Sequence, residues 1–143
     1  MPQLANELKI LIVEDQLAAR QTLSTALRVQ NIPLIDMAID GQIARDMIEQ
    51  AHADGTPYHI VFLDWDIPKI TGIDLLKHFR GQPHYGSTAF VMVTSMSLQA
   101  QVMDAIKSGA TAYMIKPVSP VSIAARFNEI INWLHKKESA AFS

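Results

Sequence analysis

The sequence predicts an α/β fold: a five-stranded parallel sheet with helices on both faces, in a doubly wound (βα)5 order. Three observations predict it. Five short apolar runs, dense in Ile, Val, Leu and Phe, alternate with longer mixed segments. The runs lack a clean two-residue alternation, which is the pattern of parallel strands covered on both faces. The segments between them carry apolar residues three and four apart, as helices with one buried stripe do. Strands alternating with helices imply βαβ units with right-handed crossovers.

The elements follow in order. A strand is expected over Lys9–Val13, then a helix over Gln16–Gln30 with Leu23, Ala26 and Leu27 at helical spacing. The second run, Pro33–Ala38, is the weakest, because Pro33 and Asp36 are poor strand residues. Its helix, Gly41–Ala51, carries Ala44, Met47 and Ile48. A third strand over His59–Leu63 is followed by a helix over Gly72–Phe79 with Ile73, Leu76 and Phe79. The Gly- and Pro-bearing stretch Gly81–Ser87 reads as a loop. A fourth strand, Ala89–Val93, precedes a helix over Leu98–Lys107 with Val102, Ala105 and Ile106, and Gly109 as its stop signal. A fifth strand, Ala112–Ile115, precedes a last helix over Pro120–Lys137, whose Ile123, Phe127, Ile130 and Leu134 form one stripe. No repeat, low-complexity stretch or linker interrupts this order. Residues 1–143 therefore read as a single domain with its core at about 9–136, a loose head of six or seven residues and a loose tail over Glu138–Ser143.

Composition narrows the function. A chain of 143 residues, 49% hydrophobic and 18% charged, suits one packed core and argues against disorder. A net charge of −2 gives no support to direct nucleic-acid binding. The absence of cysteine excludes disulfides, thiolate metal sites and thiol redox chemistry. No apolar run approaches the ~20 residues of a membrane span, and the N-terminus lacks the basic and apolar regions of a signal peptide. A cytoplasmic domain without membrane insertion is the expectation. The five histidines lack ligand spacing and read as surface or loop residues, and the seven methionines as core filler. Trp133 lies beside the last stripe; it is either peripheral packing or a contact surface, and packing is preferred.

Chemistry concentrates where strands end. Asp64 closes the third run, and a carboxylate at the carboxyl end of a buried strand sits where open α/β sheets hold ligands. Glu14-Asp15, Thr94-Ser95 and Lys116-Pro117 close three other runs. Each has a plainer explanation when taken alone. Asp15 could cap the following helix, Asp64 could be a turn residue, Thr94 a strand-end hydroxyl and Tyr113 a half-buried strand aromatic. Together they suit one pocket. Hard oxygens from two strand ends suit Mg²⁺, which takes one or two carboxylates and keeps waters for a phosphate to displace. A buried Asp64 needs a cation beside it; a metal and Lys116 would supply that, and Asp64 becomes a candidate nucleophile toward phosphorus. Thr94 could donate to a phosphoryl oxygen, and Ser95 ranks below it. Lys116 would neutralise charge on the transferring group as a compact point charge. Pro117 is a candidate for a cis bond that orients Lys116.

The ordered set Glu14-Asp15, Asp64, Thr94 and Lys116-Pro117 resembles the response-regulator receiver domain of two-component signalling. Pro68 four residues after the acid, Gly72 eight after it, and Ser108-Gly109-Ala110 before the last strand support the resemblance, which covers Lys9 to Lys136. It implies a CheY-like, flavodoxin-like fold. It implies that Asp64 accepts a phosphoryl group from a phosphohistidine on a sensor histidine kinase or a histidine phosphotransfer protein. Asp15, Asp64 and the backbone carbonyl of Asp66 would bind Mg²⁺, with Glu14 helping through water and Mn²⁺ able to substitute. Thr94 and Lys116 would contact the phosphoryl oxygens. Tyr113 would turn inward as Thr94 moves, switching the face formed by the fourth helix, fifth strand and fifth helix for a downstream protein target or a phosphorylation-dependent homodimer. Such a chain is a switch that takes phosphate once and releases it slowly, with no turnover of a separate substrate.

Some positions depart from the family. Ile67, Ile70 and Thr71 stand where receivers often carry Met, Met and Asp. Asp66 and Met96 flank the site at positions that in the family influence phosphoryl lifetime. Asp64-Trp65-Asp66 also fits the Asp-x-Asp start of haloacid-dehalogenase-type phosphatases, although that family carries it on the first strand. A receiver-fold docking module that is never phosphorylated would lack an Asp, Thr or Lys of the set, and none is missing. A flavodoxin-like cofactor binder would need a phosphate-cradling loop after the first strand, where Glu14-Asp15-Gln16 repels phosphate. Met1 and the short tail favour a stand-alone protein over an excised domain, while the long last helix equally suits a lead into a further domain or a dimer face.

Overall fold

The computed structural model describes residues 7–141. Five strands, β1 (Lys9–Val13), β2 (Leu34–Ala38), β3 (Ile60–Leu63), β4 (Ala89–Thr94) and β5 (Ala112–Ile115), alternate with α1 (Leu17–Val29), α2 (Gly41–Ala53), α3 (Gly72–Arg80), α4 (Gln99–Lys107) and α5 (Pro120–Ala141). All strand pairs are parallel, in the order β2-β1-β3-β4-β5. The stretch expected as a loop after α3 contains one 3-10 turn, Pro83–Tyr85.

Successive residues of each strand feed opposite faces of the sheet. Ile10, Ile12, Phe62, Val91 and Met114 join Leu23, Leu27, Ile123, Phe127 and Ile130 in the core beneath α1 and α5. Leu11, Val13, Leu63, Met92 and Tyr113 join Ala44, Ile48, Leu76 and Phe79 in the core beneath α2 and α3. The register aligns the strands' carboxyl ends, with Val13 opposite Leu63, Leu63 opposite Met92 and Thr94 opposite Ile115.

The structure corrects several expectations. β2 is not covered on both faces. It is an edge strand, and only Ala38 in it is fully buried. In α4 the stripe is thinner than the spacing suggests: Ala105 is buried, but Ile106 faces outward. The last helix does not stop at Lys137 and runs to Ala141, into the stretch expected as a tail. The expected loose head lies mostly outside the described residues. Met37 and Met103 are exposed rather than core filler. Not every histidine is a surface or loop residue, since His135 on α5 buries its Nε2; His59 does lie in the bend before β3, where its ring accepts the Lys9 amide through Nδ1 at 2.9 Å. Trp133 packs against the α1–α5 core, with the Arg80 guanidinium and the Lys137 ammonium each 5.4 Å from its ring centre. Among the described residues no helix is long and apolar enough to cross a membrane.

Candidate functional site

The sheet ladder continues one residue past three strands, and this delivers the charged side chains. The Glu14 amide donates to the Ala38 carbonyl at 3.0 Å, the Asp64 amide to Val13 at 3.1 Å and the Lys116 amide to Thr94 at 2.9 Å. Backbone regularity therefore sets Glu14, Asp64 and Lys116 side by side at one end of the sheet. The Lys116–Pro117 peptide bond is cis.

The Lys116 ammonium bridges the two acids, donating to Glu14 Oε1 and to Asp64 Oδ2, the latter at 2.6 Å. Both carboxylates are buried, as is Thr94. Burial works against the charge on Asp64, but hydrogen bonds from Lys116, Thr94 and the Asp66 amide outweigh it and hold its carboxyl below the usual aspartate range. Burial dominates at Glu14 and pushes its carboxyl up despite the Lys116 and Gln16 bonds. Burial also disfavours the charge on Lys116, yet its bonds to Asp64 and Glu14 prevail and raise it. One cation thus serves two acids, and a further cation is electrostatically welcome.

The loops around the triad are tied down from several sides. Asp64 Oδ1 accepts the Asp66 amide at 3.1 Å. The Gly72 amide donates to the Trp65 carbonyl at 2.9 Å, and a Cβ on Gly72 would lie 2.0 Å from the Asp64 carbonyl oxygen. Only glycine lets α3 start this close to the acid's backbone. Gly41 at the start of α2 donates to the Pro68 carbonyl at 3.0 Å. Arg20 on α1 donates to the Glu14 carbonyl at 2.9 Å and steadies the β1–α1 connection.

Glu14, Asp64, Thr94 and Lys116 meet directly. Asp15 sits at the edge of this group: it is exposed, its carboxyl interacts with that of Glu14, and it lines a polar cleft of ≈ 310 Å³ with Asp64, Asp66, Ser95 and Lys116. It does not cap α1, whose N-cap is Gln16 and carries no side-chain capping bond. Tyr113 is buried, its hydroxyl donating to the Met96 carbonyl at 2.6 Å, two residues beyond Thr94. Reading the sequence missed Arg20, because a helix arginine carries no local signal of the carbonyl it will meet.

Among the described residues no three His, Asp or Glu side chains converge as a metal cage. The donor set nevertheless fits Mg²⁺, which needs one or two carboxylates and fills its octahedron with carbonyl oxygen and water. The oxygens are hard, and the excess of carboxylate over ammonium favours a cation.

Fold and site together define a class: a phosphoacceptor domain of two-component signalling. The chain belongs to the response regulator receiver domain family, whose model matches residues 10–128. It is 33% identical over 132 residues to the probable chemotaxis protein CheY of Rhizobium etli, an alignment covering 92% of this chain and 98% of that protein. The high-resolution structure of the chemotaxis response regulator CheY4 of Vibrio cholerae superposes with a TM-score of 0.72 at 25% identity, covering 86% of this chain and 98% of that one. The CheY of Borrelia burgdorferi in a CheX-CheY-BeF3-Mg complex shares the fold, with a TM-score of 0.77 at 22% identity, covering 87% of this chain and 89% of that one.

Proposed function

We propose that Asp64 is the phosphoacceptor and that the chain works as a phosphorylation-driven switch fed by a histidine kinase or a histidine phosphotransfer protein. The single observation that carries this reading is the Lys116 ammonium bridging Asp64 and Glu14 at the rim of a polar cleft. In the transfer, an Asp64 carboxylate oxygen forms a bond to phosphorus as the phosphorus–nitrogen bond of the donor's phosphohistidine breaks. The imidazole leaves with the electron pair. Lys116 releases Asp64 Oδ2 and pairs with a phosphoryl oxygen, remaining near Glu14. The Thr94 hydroxyl donates to a second phosphoryl oxygen. Asp15, Asp64 and the Asp66 carbonyl, with Glu14 through water, would hold Mg²⁺ or Mn²⁺, which supplies the divalent charge that screens the acids from the incoming phosphoryl group.

The readout runs through Thr94 and Tyr113. The Tyr113 hydroxyl bond to Met96 ties β5 to the segment leaving Thr94, so a displacement of Thr94 is felt by the ring. The segment from the N-cap of α4 through β5 to α5 exposes large apolar side chains, including Leu98 at 69%, Ile106 at 47% and Val121 at 79%. Those side chains support a protein target, or a second copy, on this face. No separate substrate is turned over on this reading.

Intact mass after incubation with acetyl phosphate and Mg²⁺ tests it. The wild type should gain one labile phosphoryl group and Asp64→Asn none. Labelling of the variant to the wild-type level would move the acceptor elsewhere.

A further inference from the structure

A second cavity, of ≈ 300 Å³, lies on the α1–α5 side of the sheet. Unlike the polar cleft, it has apolar walls, chiefly Ile12, Leu23, Phe62, Val93 and Val118. At one end it meets Glu14, Asp64 and Lys116. Asp64 and Lys116 also line the polar cleft, so the ion triad is a wall shared by two chambers of opposite character.

The cavity exists because α1 is slim there. Ala19 and Thr22 line it where longer side chains would fill it, and the Thr22 hydroxyl turns back to the Ala18 carbonyl at 2.9 Å. The strand side chains that line it, Ile12, Phe62 and Val93, are buried. A void of this size forfeits dispersion contacts. Its volume matches the lower end of small-molecule sites, roughly 300–1,000 Å³.

The rim selects the ligand's charge. Two carboxylates face one ammonium, with the exposed Asp15 carboxyl beside Glu14, and Glu14 Oε2 accepts the Gln16 amide at 3.2 Å. A carboxylate or phosphate head would add a like charge to this rim, whereas an ammonium would offset its excess of carboxylate over ammonium. We propose that this cavity binds small organic amines with an apolar body up to the size of a fused bicyclic ring, the body against Phe62 and Val118 and the ammonium at Glu14. The apolar chamber shares the ion triad with the polar cleft of the proposed transfer, but binding of an amine in it does not depend on Asp64 being an acceptor.

Amide proton–nitrogen spectra of the whole chain, titrated with 1-naphthylmethylamine in metal-free buffer, test the proposal. The same ring bearing the opposite charge, 1-naphthoate, serves as the control. The amine should shift the amides of Ile12, Leu23, Phe62 and Val118 in one saturable phase, with a Kd in the ~millimolar range usual for a fragment. The carboxylate should bind about tenfold more weakly or not at all, given the charge of the rim. Ala19→Leu and Thr22→Ile, both on the rim of α1 and each extending into the cavity, should each weaken the amine about tenfold or more while leaving the spectrum dispersed. The proposal is overturned by the absence of saturable shifts at these amides, by equal binding of the carboxylate, or by unchanged binding in both filled variants.

Discussion

At the residue scale the site depends on a charge imbalance. Lys116 serves two buried acids, and its own charge is reinforced by both. Lys116→Ala should leave Asp64 and Glu14 facing each other without compensation. Labelling by acetyl phosphate should then fall about 100-fold, the scale seen when one oriented donor is removed from a charge-stabilising site. Lys116→Arg should not restore it, because a planar fork cannot take the place of a point charge between two carboxylates. A labelling rate in Lys116→Ala within twofold of the wild type would remove Lys116 from the transfer. Asp66 acts from a different position. Its side chain is exposed at the mouth of the polar cleft, where hydrolytic water must enter, and a carboxylate there can orient that water as a base. Asp66→Asn should lengthen the half-life of the phosphorylated protein several-fold, and an unchanged decay rate would contradict this account.

At the element scale, much was legible in the sequence, and what was not has physical causes. The α5 stripe of Ile123, Phe127, Ile130 and Leu134 is buried as its spacing predicts, and the acids stand at strand ends because the runs preceding them are uninterrupted strands. Ile106 misled because periodicity shows which residues share a helix face but not whether another element covers that face. β2 misled in the same way, since the strand order that puts it at an edge is not written in its own residues. The cavity beneath the triad was also hidden, because sequence gives residue volumes but not the spacing between helix and sheet. Least visible was Arg80 at the end of α3. Its guanidinium donates to the Gly109 carbonyl at 2.8 Å, the Tyr85 carbonyl at 3.0 Å and Thr111 Oγ1 at 3.1 Å, and lies 4.9 Å from the centre of the Phe90 ring. Gly109, at φ +103°, leaves room for it, since a Cβ there would lie 2.8 Å from the Arg80 side chain. This one side chain staples α3, the 3-10 turn and the entry to β5. Arg80→Lys keeps the charge but loses the fork, and with it up to three charge-assisted bonds; the Tyr85 carbonyl and Thr111 Oγ1 keep the Thr88 and Phe90 amides, so the cost in urea unfolding should be about 2 kcal/mol. A loss below about 0.5 kcal/mol would mean that water replaces these bonds at no cost.

For the whole molecule, the three tyrosines couple folding to alkaline pH in one direction. Burial raises the hydroxyl pKa of Tyr58, Tyr85 and Tyr113, and Tyr58 is raised furthest, because Asp36 Oδ2 also accepts its hydroxyl at 2.7 Å. That bond ties the edge strand β2 to the start of β3, so its loss would first loosen the sheet at its weakest edge. In the unfolded chain each phenol ionises near ~10. The folded state retains its protons to higher pH. Stability from this source is therefore fully present below about pH 10 and is lost as pH rises toward the folded-state values, by up to about 1.4 kcal/mol per pH unit for each phenol still protonated in the fold. Tyr58→Phe should be less stable than the wild type at pH 7, by about 1 kcal/mol for the missing bond and the now unanswered Asp36. It should also lose stability less steeply above pH 10, so that the two unfolding curves converge as pH rises. Urea midpoints at pH 7, 9 and 10.5 distinguish the cases. Parallel loss in both proteins would show that the Tyr58–Asp36 contact does not carry the alkaline dependence and would shift it to Tyr85 and Tyr113, whose phenols lie in the core beneath α2 and α3.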